Sequence, residues 1–136
     1  SWTTVAEGTY NFKGVGAQLF GASKPATLQV NDANPKSFRF KNFWGTGKHM
    51  TFNLTDKKGT DQNGLTITQL VVPEQATPYT YPDYGTIYYA DGLTRKSVNS
   101  PSFMYGDYYC MILMQWYVSA SNLGQITDYD TFEPNE

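Results

Sequence analysis

At 136 residues the chain has the length of one domain, enough to bury a core without disulfide staples or a structural metal. A formal net charge of -2, with 10 Lys and Arg spread along the chain, offers no basic stripe to neutralise a phosphate backbone, so nucleic acid is not an expected partner. The lone Cys110 rules out an internal disulfide and a cysteine zinc cluster, and the apolar run Met111 to Trp116, interrupted by Gln115, is far short of the roughly 20 residues of a membrane-crossing helix.

The chain opens on Ser1-Trp2-Thr3-Thr4 rather than Met, which predicts that a leader or upstream segment has been removed. The polar Glu133-Pro134-Asn135-Glu136 reads as a domain edge, and no linker composition lies between, so residues 1–136 are expected to form a single domain. Period-two alternation places Tyr10 and Phe12 on one face of a first strand over Gly8 to Lys13. The Gly-rich stretch Gly14 to Gly21 is expected as a loop able to cover one end of a barrel. Leu28 and Val30 alternate with Thr27, Gln29 and Asn31 in a second strand, and Asn31-Asp32-Ala33-Asn34-Pro35 supplies a turn. Phe38 and Phe40 alternate with Arg39 and Lys41. Met50, Phe52 and Leu54 form the next inward set, ended by the polar connection Asp56-Lys57-Lys58-Gly59 with Asn63-Gly64, and Leu65, Ile67 and Gln69 continue on the far side.

Between Pro73 and Tyr84 the alternation stops, and Pro73, Pro78 and Pro82 predict an ordered loop rather than a ladder. Gly85 to Asp91 resumes as a strand, Gly92 to Pro101 reads as a polar connection, and Asp107 to Ser119 is the longest strand candidate. Gln125 to Phe132 completes the set after the turn Ser121-Asn122-Leu123-Gly124. No segment holds the i, i+3, i+4 spacing of an amphipathic helix for three turns, so helix is expected to be minor. Together these elements predict an all-β fold: an antiparallel up-and-down meander barrel of about eight strands whose last strand pairs with the first, with an open two-sheet sandwich as the alternative. Both faces of Asp107 to Ser119 are apolar. That strand therefore needs cover from the Pro-rich loop, the Gly14 to Gly21 segment, or a neighbouring domain or subunit.

Four stretches carry a resemblance: Gly8-Thr9-Tyr10-Asn11-Phe12, Lys41-Asn42-Phe43-Trp44-Gly45, Pro82-Asp83-Tyr84-Gly85-Thr86-Ile87-Tyr88 and Trp116-Tyr117-Val118-Ser119-Ala120. In order and spacing they resemble a β-rich module of exported surface lipoproteins from gut bacteria, itself similar to small lipocalin-like or streptavidin-like barrels. The resemblance implies export to the cell surface or periplasm, with a lipid anchor in the full-length precursor, and a lipid-binding or surface role. It implies no catalytic residues. The turn Ser121-Asn122-Leu123-Gly124-Gln125 departs from the family's more aromatic ending.

Catalytic constellations are poorly supplied. His49 is the sole histidine, so no site with two imidazoles can form within one chain. No Gly-x-Ser-x-Gly elbow accompanies it, and Cys110 lies in the apolar strand, where burial raises a thiol's pKa. Asp83, Asp91, Asp107, Asp128 and Asp130 are carboxylates from which a glycosidase pair, about 5 to 10 Å apart, would have to come. Asp128 and Asp130 share a face if Gln125 to Phe132 is a strand, either on solvent or in a barrel mouth. Asp61-Gln62-Asn63-Gly64 lacks the ligand run of a calcium loop and reads as a turn. Neither a metal site nor a cofactor is expected.

Aromatic residues are the stronger functional signal, at 16% of the chain with 11 Tyr, a content that suits both sheet packing and stacking against a ligand. Trp44, beside Gly45-Thr46-Gly47, and Tyr79, Tyr81 and Tyr84 in the Pro-rich segment are candidate ligand-binding residues, with Tyr105 before Gly106 a fifth. Rigid rings there either stack on a ligand or roof the barrel. Two readings follow. One is a non-catalytic binding module taking a lipid, a small apolar molecule or a glycan. The other is a structural or adhesion module with a filled interior that contacts protein or glycan through its outer aromatics. Phe38, Phe40, Phe52 and Trp116 are large enough to fill an eight-stranded barrel.

Overall fold

Alternating half-buried segments become strands, and the computed structural model describes them across residues 1–136. In chain order the elements are β1 (Trp2–Asn11), α1 (Gly14–Phe20), β2 (Ser23–Asn31), β3 (Asn34–Phe40), β4 (Met50–Thr60), β5 (Thr66–Val71), β6 (Gln75–Tyr81) and β7 (Gly85–Asp91). They continue with β8 (Ser102–Tyr105), β9 (Cys110–Ile112), β10 (Met114–Val118), β11 (Ser121–Asn122) and β12 (Asp130–Pro134). Strands β1, β2, β3, β4, β5, β8, β9 and β12 close into an eight-stranded antiparallel barrel, each paired with its neighbours in chain order and β12 returning to β1. This is the up-and-down arrangement expected from the sequence, consistent with a lipocalin-like barrel. The four remaining strands form a second sheet in the order β11-β10-β7-β6.

The barrel interior is solid. Cross-strand pairs set Tyr10 opposite Phe132, Leu28 opposite Phe40, and Phe38 opposite Phe52. Phe38 and Phe52 stack at 5.4 Å, while Phe40 meets Phe132 at 5.0 Å and Tyr10 at 5.5 Å. Tyr10, Leu28, Phe40, Met50, Phe52, Cys110, Ile112 and Phe132 are fully buried, so the lumen of this small barrel is occupied by side chains. Closure depends on Gly8. It pairs with Pro134 on β12, and a Cβ there would lie 2.0 Å from the Glu133 carbonyl oxygen.

The antiparallel order places α1, the 41–49 loop, the β6–β7 excursion and the β10–β11 segment at one end of the barrel, where β1, β3, β5 and β9 finish. The turns at 32–33, 61–65 and 106–109 lie at the other end. The second sheet is therefore a cap. One core of 21 buried residues runs from the barrel into it, with Ile87, Tyr89, Met114, Trp116 and Val118 as the cap's share.

Several elements differ from the sequence reading. Asp107 to Ser119 is two strands in two sheets: Gly106 to Tyr109 turns the β8–β9 hairpin, with Tyr108 at φ 72, and Leu113 hands the chain from barrel to cap. Its two apolar faces reflect that crossing between layers. The chain itself supplies the cover, because Leu113 is buried, Arg95 lies 3.7 Å over the Tyr117 ring, and the Gln115 amide donates to the Gly124 carbonyl at 3.1 Å. Gly85 to Asp91 belongs to the cap, and β8, which had no counterpart, takes its place in the barrel.

Pro73 to Tyr84 contains strand β6. Pro78 is tolerated because β6 is an edge, and it falls in the register shift between Ala76 and Thr80. Gly14 to Gly21 is a short helix rather than a loop, ended by Gly21 at φ 93, with Gly16 packed so closely on Trp116 that a Cβ would sit 2.8 Å from the indole nitrogen. On β5 the inward residue is Leu70 rather than Ile67 or Gln69, because Leu70 pairs with Leu54 and directly opposed residues share a face. The first strand starts at Trp2, and the last runs from Asp130 to Pro134.

Candidate functional site

Four segments converge at the capped end. The 41–49 loop is a tight structure because Trp44 N–H donates to the Lys48 carbonyl at 3.0 Å and Asn42 N–H donates to His49 Nδ1 at 2.7 Å. This fixes Phe43 and Trp44, both nearly buried, against the barrel end. Trp44 Nε1–H donates to the Tyr89 hydroxyl at 2.9 Å, and that hydroxyl donates to Gln75 Oε1 at 3.0 Å. Helix α1 contributes Leu19 and Phe20. The Phe20 ring lies 5.0 Å from Trp44, 4.8 Å from Trp116 and 5.8 Å from Tyr79. The β6–β7 hairpin turns through Pro82 and Asp83, the latter at φ 68, and overhangs the helix with Tyr79 and Tyr81.

Between these walls lies a cleft of about 520 Å³ lined by Phe12, Leu19, Phe20, Lys24, Trp44, Tyr79, Thr80, Tyr81, Pro82 and Ile87. It is outside the barrel lumen: Leu28, Phe38, Phe40, Phe52 and Phe132 do not border it. Lys24 is its one charged residue. Its ammonium donates to the Phe43 carbonyl, lies 4.5 Å from the Phe43 ring and 5.7 Å from that of Trp44, and has its pKa lowered by burial.

Of the five candidate aromatics, Trp44, Tyr79 and Tyr81 meet at this cleft. Tyr84 stands on the hairpin tip, 67% exposed, with its ring 5.9 Å from Tyr81, and does not line the space. Tyr105 is at the opposite end of the barrel, packed on Phe103 and Tyr109. Sequence reasoning missed Phe12, Leu19, Phe20, Lys24, Thr80, Pro82 and Ile87. Leu19-Phe20 before Gly21 was a legible apolar pair at a helix end, but nothing local ties Lys24 to Tyr79.

The titratable groups do not gather here. The His49 Nε2 faces Arg39 Nη1 at 3.3 Å, and burial together with Arg39 and Lys41 lowers its pKa, so its role is to hold the loop. Cys110 is inside the barrel, its thiol pKa pushed up by burial. Asp91 is buried and accepts from Val72 N–H at 2.8 Å and from the Thr94 hydroxyl at 2.7 Å, tying the cap to the barrel. Asp128 and Asp130 are not a pair on one face: Asp128 is exposed in a loop, whereas Asp130 is buried at the start of β12. Asp130 accepts from the Tyr10 hydroxyl and from Lys13 N–H, each at 2.8 Å, and burial pushes its pKa up to about 7. The space beside it is about 10 Å³, at the lower limit for one water. Asp83 and Asp107 are exposed turn residues.

The chain matches no family model, no curated protein and no solved structure. Fold and site define the molecule as a closed, filled eight-stranded barrel carrying an aromatic cleft between its end helix and a four-stranded cap. No helix is long and apolar enough to cross a membrane.

Proposed function

We propose that this chain is a non-catalytic binding module that takes a lipid or another small apolar molecule in the capped-end cleft rather than in the barrel lumen. The supporting observation is the cleft itself. At about 520 Å³ it falls in the usual range of small-molecule sites, roughly 300–1,000 Å³, and its walls are largely apolar with few polar groups. Rings held by the Trp44–Tyr89–Gln75 hydrogen bonds lose little conformational freedom on binding, which favours affinity. Placement in an exported surface lipoprotein is part of the same reading and rests on the aromatic-glycine motifs.

Tryptophan emission should respond saturably to apolar ligands, since Trp44 borders the cleft and Trp116 contacts Phe20. Tyr79→Ser, at a position 48% exposed, should weaken that binding by roughly ten-fold, the scale of one lost aromatic contact, while Tyr105→Ser leaves it unchanged. Equal weakening by both variants, or silence across fatty acids and apolar compounds, would reject the cleft.

A second reading has its own support. The lumen is filled, and Tyr84, Tyr79 and Tyr88 are the large exposed apolar side chains, all on the cap, which suits a structural or adhesion module that grips glycan or protein with its outer surface. Glycan binding abolished by Tyr84→Ser, with no apolar-ligand response, would favour it.

A further inference from the structure

Lys24 is out of keeping with the rest of the cleft. Nine of the ten lining residues are uncharged, no carboxylate is among them, and the chain's two salt bridges, Lys36–Asp56 and Arg95–Glu74, do not involve it. An ammonium carries three N–H donors. One goes to the Phe43 carbonyl, and no other protein acceptor is within hydrogen-bond distance of the rest. The aromatic faces of Phe43 and Trp44 stabilise the charge partially and give it a fixed place on the wall. A half-buried cation with spare donors, beside an apolar space, is complemented by an anionic acceptor that brings its own apolar body.

We infer that the ligand of this cleft is a small amphipathic monocarboxylate, its apolar body against the wall formed by Phe20, Trp44 and Tyr79 and its carboxylate accepting hydrogen bonds from Lys24. This rests on the cleft-binding reading above and specifies its ligand. A single ammonium matches a single negative charge, and a dianion would leave charge uncompensated in an apolar setting. A cationic amphiphile is disfavoured by Lys24 itself. The competing structural role, in which Lys24 lays its stem along the rings and sends its head to water, predicts no preference for acids.

The test is calorimetric titration with matched pairs: decanoate against decanamide, and 2-naphthoate against 2-naphthamide. On the wild-type chain at least one acid should bind roughly ten-fold or more tightly than its amide, the scale of one charge-assisted hydrogen bond. Whichever acid binds more tightly tells whether the body is an alkyl chain or an aryl ring. In Lys24→Met, which keeps the stem, the advantage of the acid over its amide should shrink to within about two-fold. Lys24→Arg should keep the preference and shows that the position tolerates substitution. Acids and amides binding equally well to the wild type would overturn the inference and leave the cleft reading intact. If no member of either pair binds, the cleft reading fails and takes this inference with it.

Discussion

The barrel and its cap are built from the same kinds of residue but manage their edges differently. The barrel has none: eight strands pair in a ring, and the lumen is filled by rings such as Phe38, Phe40, Phe52 and Phe132. The cap keeps two edges, β6 and β11, and leaves Tyr79, Tyr84 and Tyr88 exposed. A closed, filled ring has no room for a guest and little freedom to move. On the proposed reading, recognition falls to the sheet that could not close, at the line where its inner face passes beyond the barrel rim. Trp116 joins the two regions, touching Phe12 just after β1, Phe20 on α1, Trp44 on the loop and Tyr89 in the cap.

The largest effect expected from any single change is at the seam. Gly8→Ala places a Cβ against the Glu133 carbonyl and the Pro134 Cα, both backbone atoms that cannot rotate away. Strands β1 and β12 would have to separate, at a cost above about 4 kcal/mol, beyond ordinary overpacking. Urea unfolding measures it. A loss under about 1 kcal/mol would mean that closure at Gly8 is soft and that the barrel is no more rigid than its cap.

Legibility followed the same division. The inward series Tyr10, Leu28, Phe40 and Phe52 could be read because a half-buried strand alternates, and alternation survives in sequence. Ile67 and Gln69 read as inward because Leu65 and Ile67 alternate with Thr66 and Thr68, whereas the pairing of Leu70 with Leu54 that sets the face is not local to β5. Asp107 to Ser119 read as one strand because neither the Tyr108 turn nor the hand-over at Leu113 interrupts its apolar composition. Pro78 concealed β6, since a proline forbidden in a central strand is harmless on an edge. At the site, Trp44, Tyr79 and Tyr81 were visible as aromatics in unusual local settings. Lys24 was invisible: its relation to them exists only after α1, the 41–49 loop and the β6–β7 hairpin arrive at one end.

Asp130 marks where the solid barrel gives way to its polar rim, and its titration sharpens that boundary. Its folded pKa, near 7, is above that of an exposed carboxylate, so between about pH 4 and 7 the native state holds a proton that the unfolded chain has released. Stability from this group is complete below pH 4 and declines as pH rises to 7, by up to about 1.4 kcal/mol per unit. Asp130→Asn cannot ionise, and its amide oxygen can still accept from Lys13 N–H while its NH2 donates to the Tyr10 hydroxyl. The wild-type minus variant difference in unfolding free energy should therefore fall across that window and flatten above it. A difference that stays level from pH 4 to 7.5 would mean that water reaches Asp130 and the rim is open.

The smallest effect tests whether barrel and cap are separable at all. The Tyr89 hydroxyl joins Trp44, on a barrel loop, to Gln75, on the cap edge. Tyr89→Phe keeps the ring against Trp116 and removes only that bridge, leaving the indole N–H without its acceptor, a loss of about 1–2 kcal/mol. Because β6 has one strand neighbour and the barrel strands have two, the loss should appear as faster amide exchange in β6 and β7, with β2, β3 and β4 unchanged. The cleft should also widen, since Trp44 and Tyr79 are on opposite sides of the broken link, and ligand affinity should fall with it. Exchange that accelerates equally in cap and barrel would show a single cooperative unit. In that case the cleft is held open by the whole fold rather than by an edge sheet leaning on a closed ring.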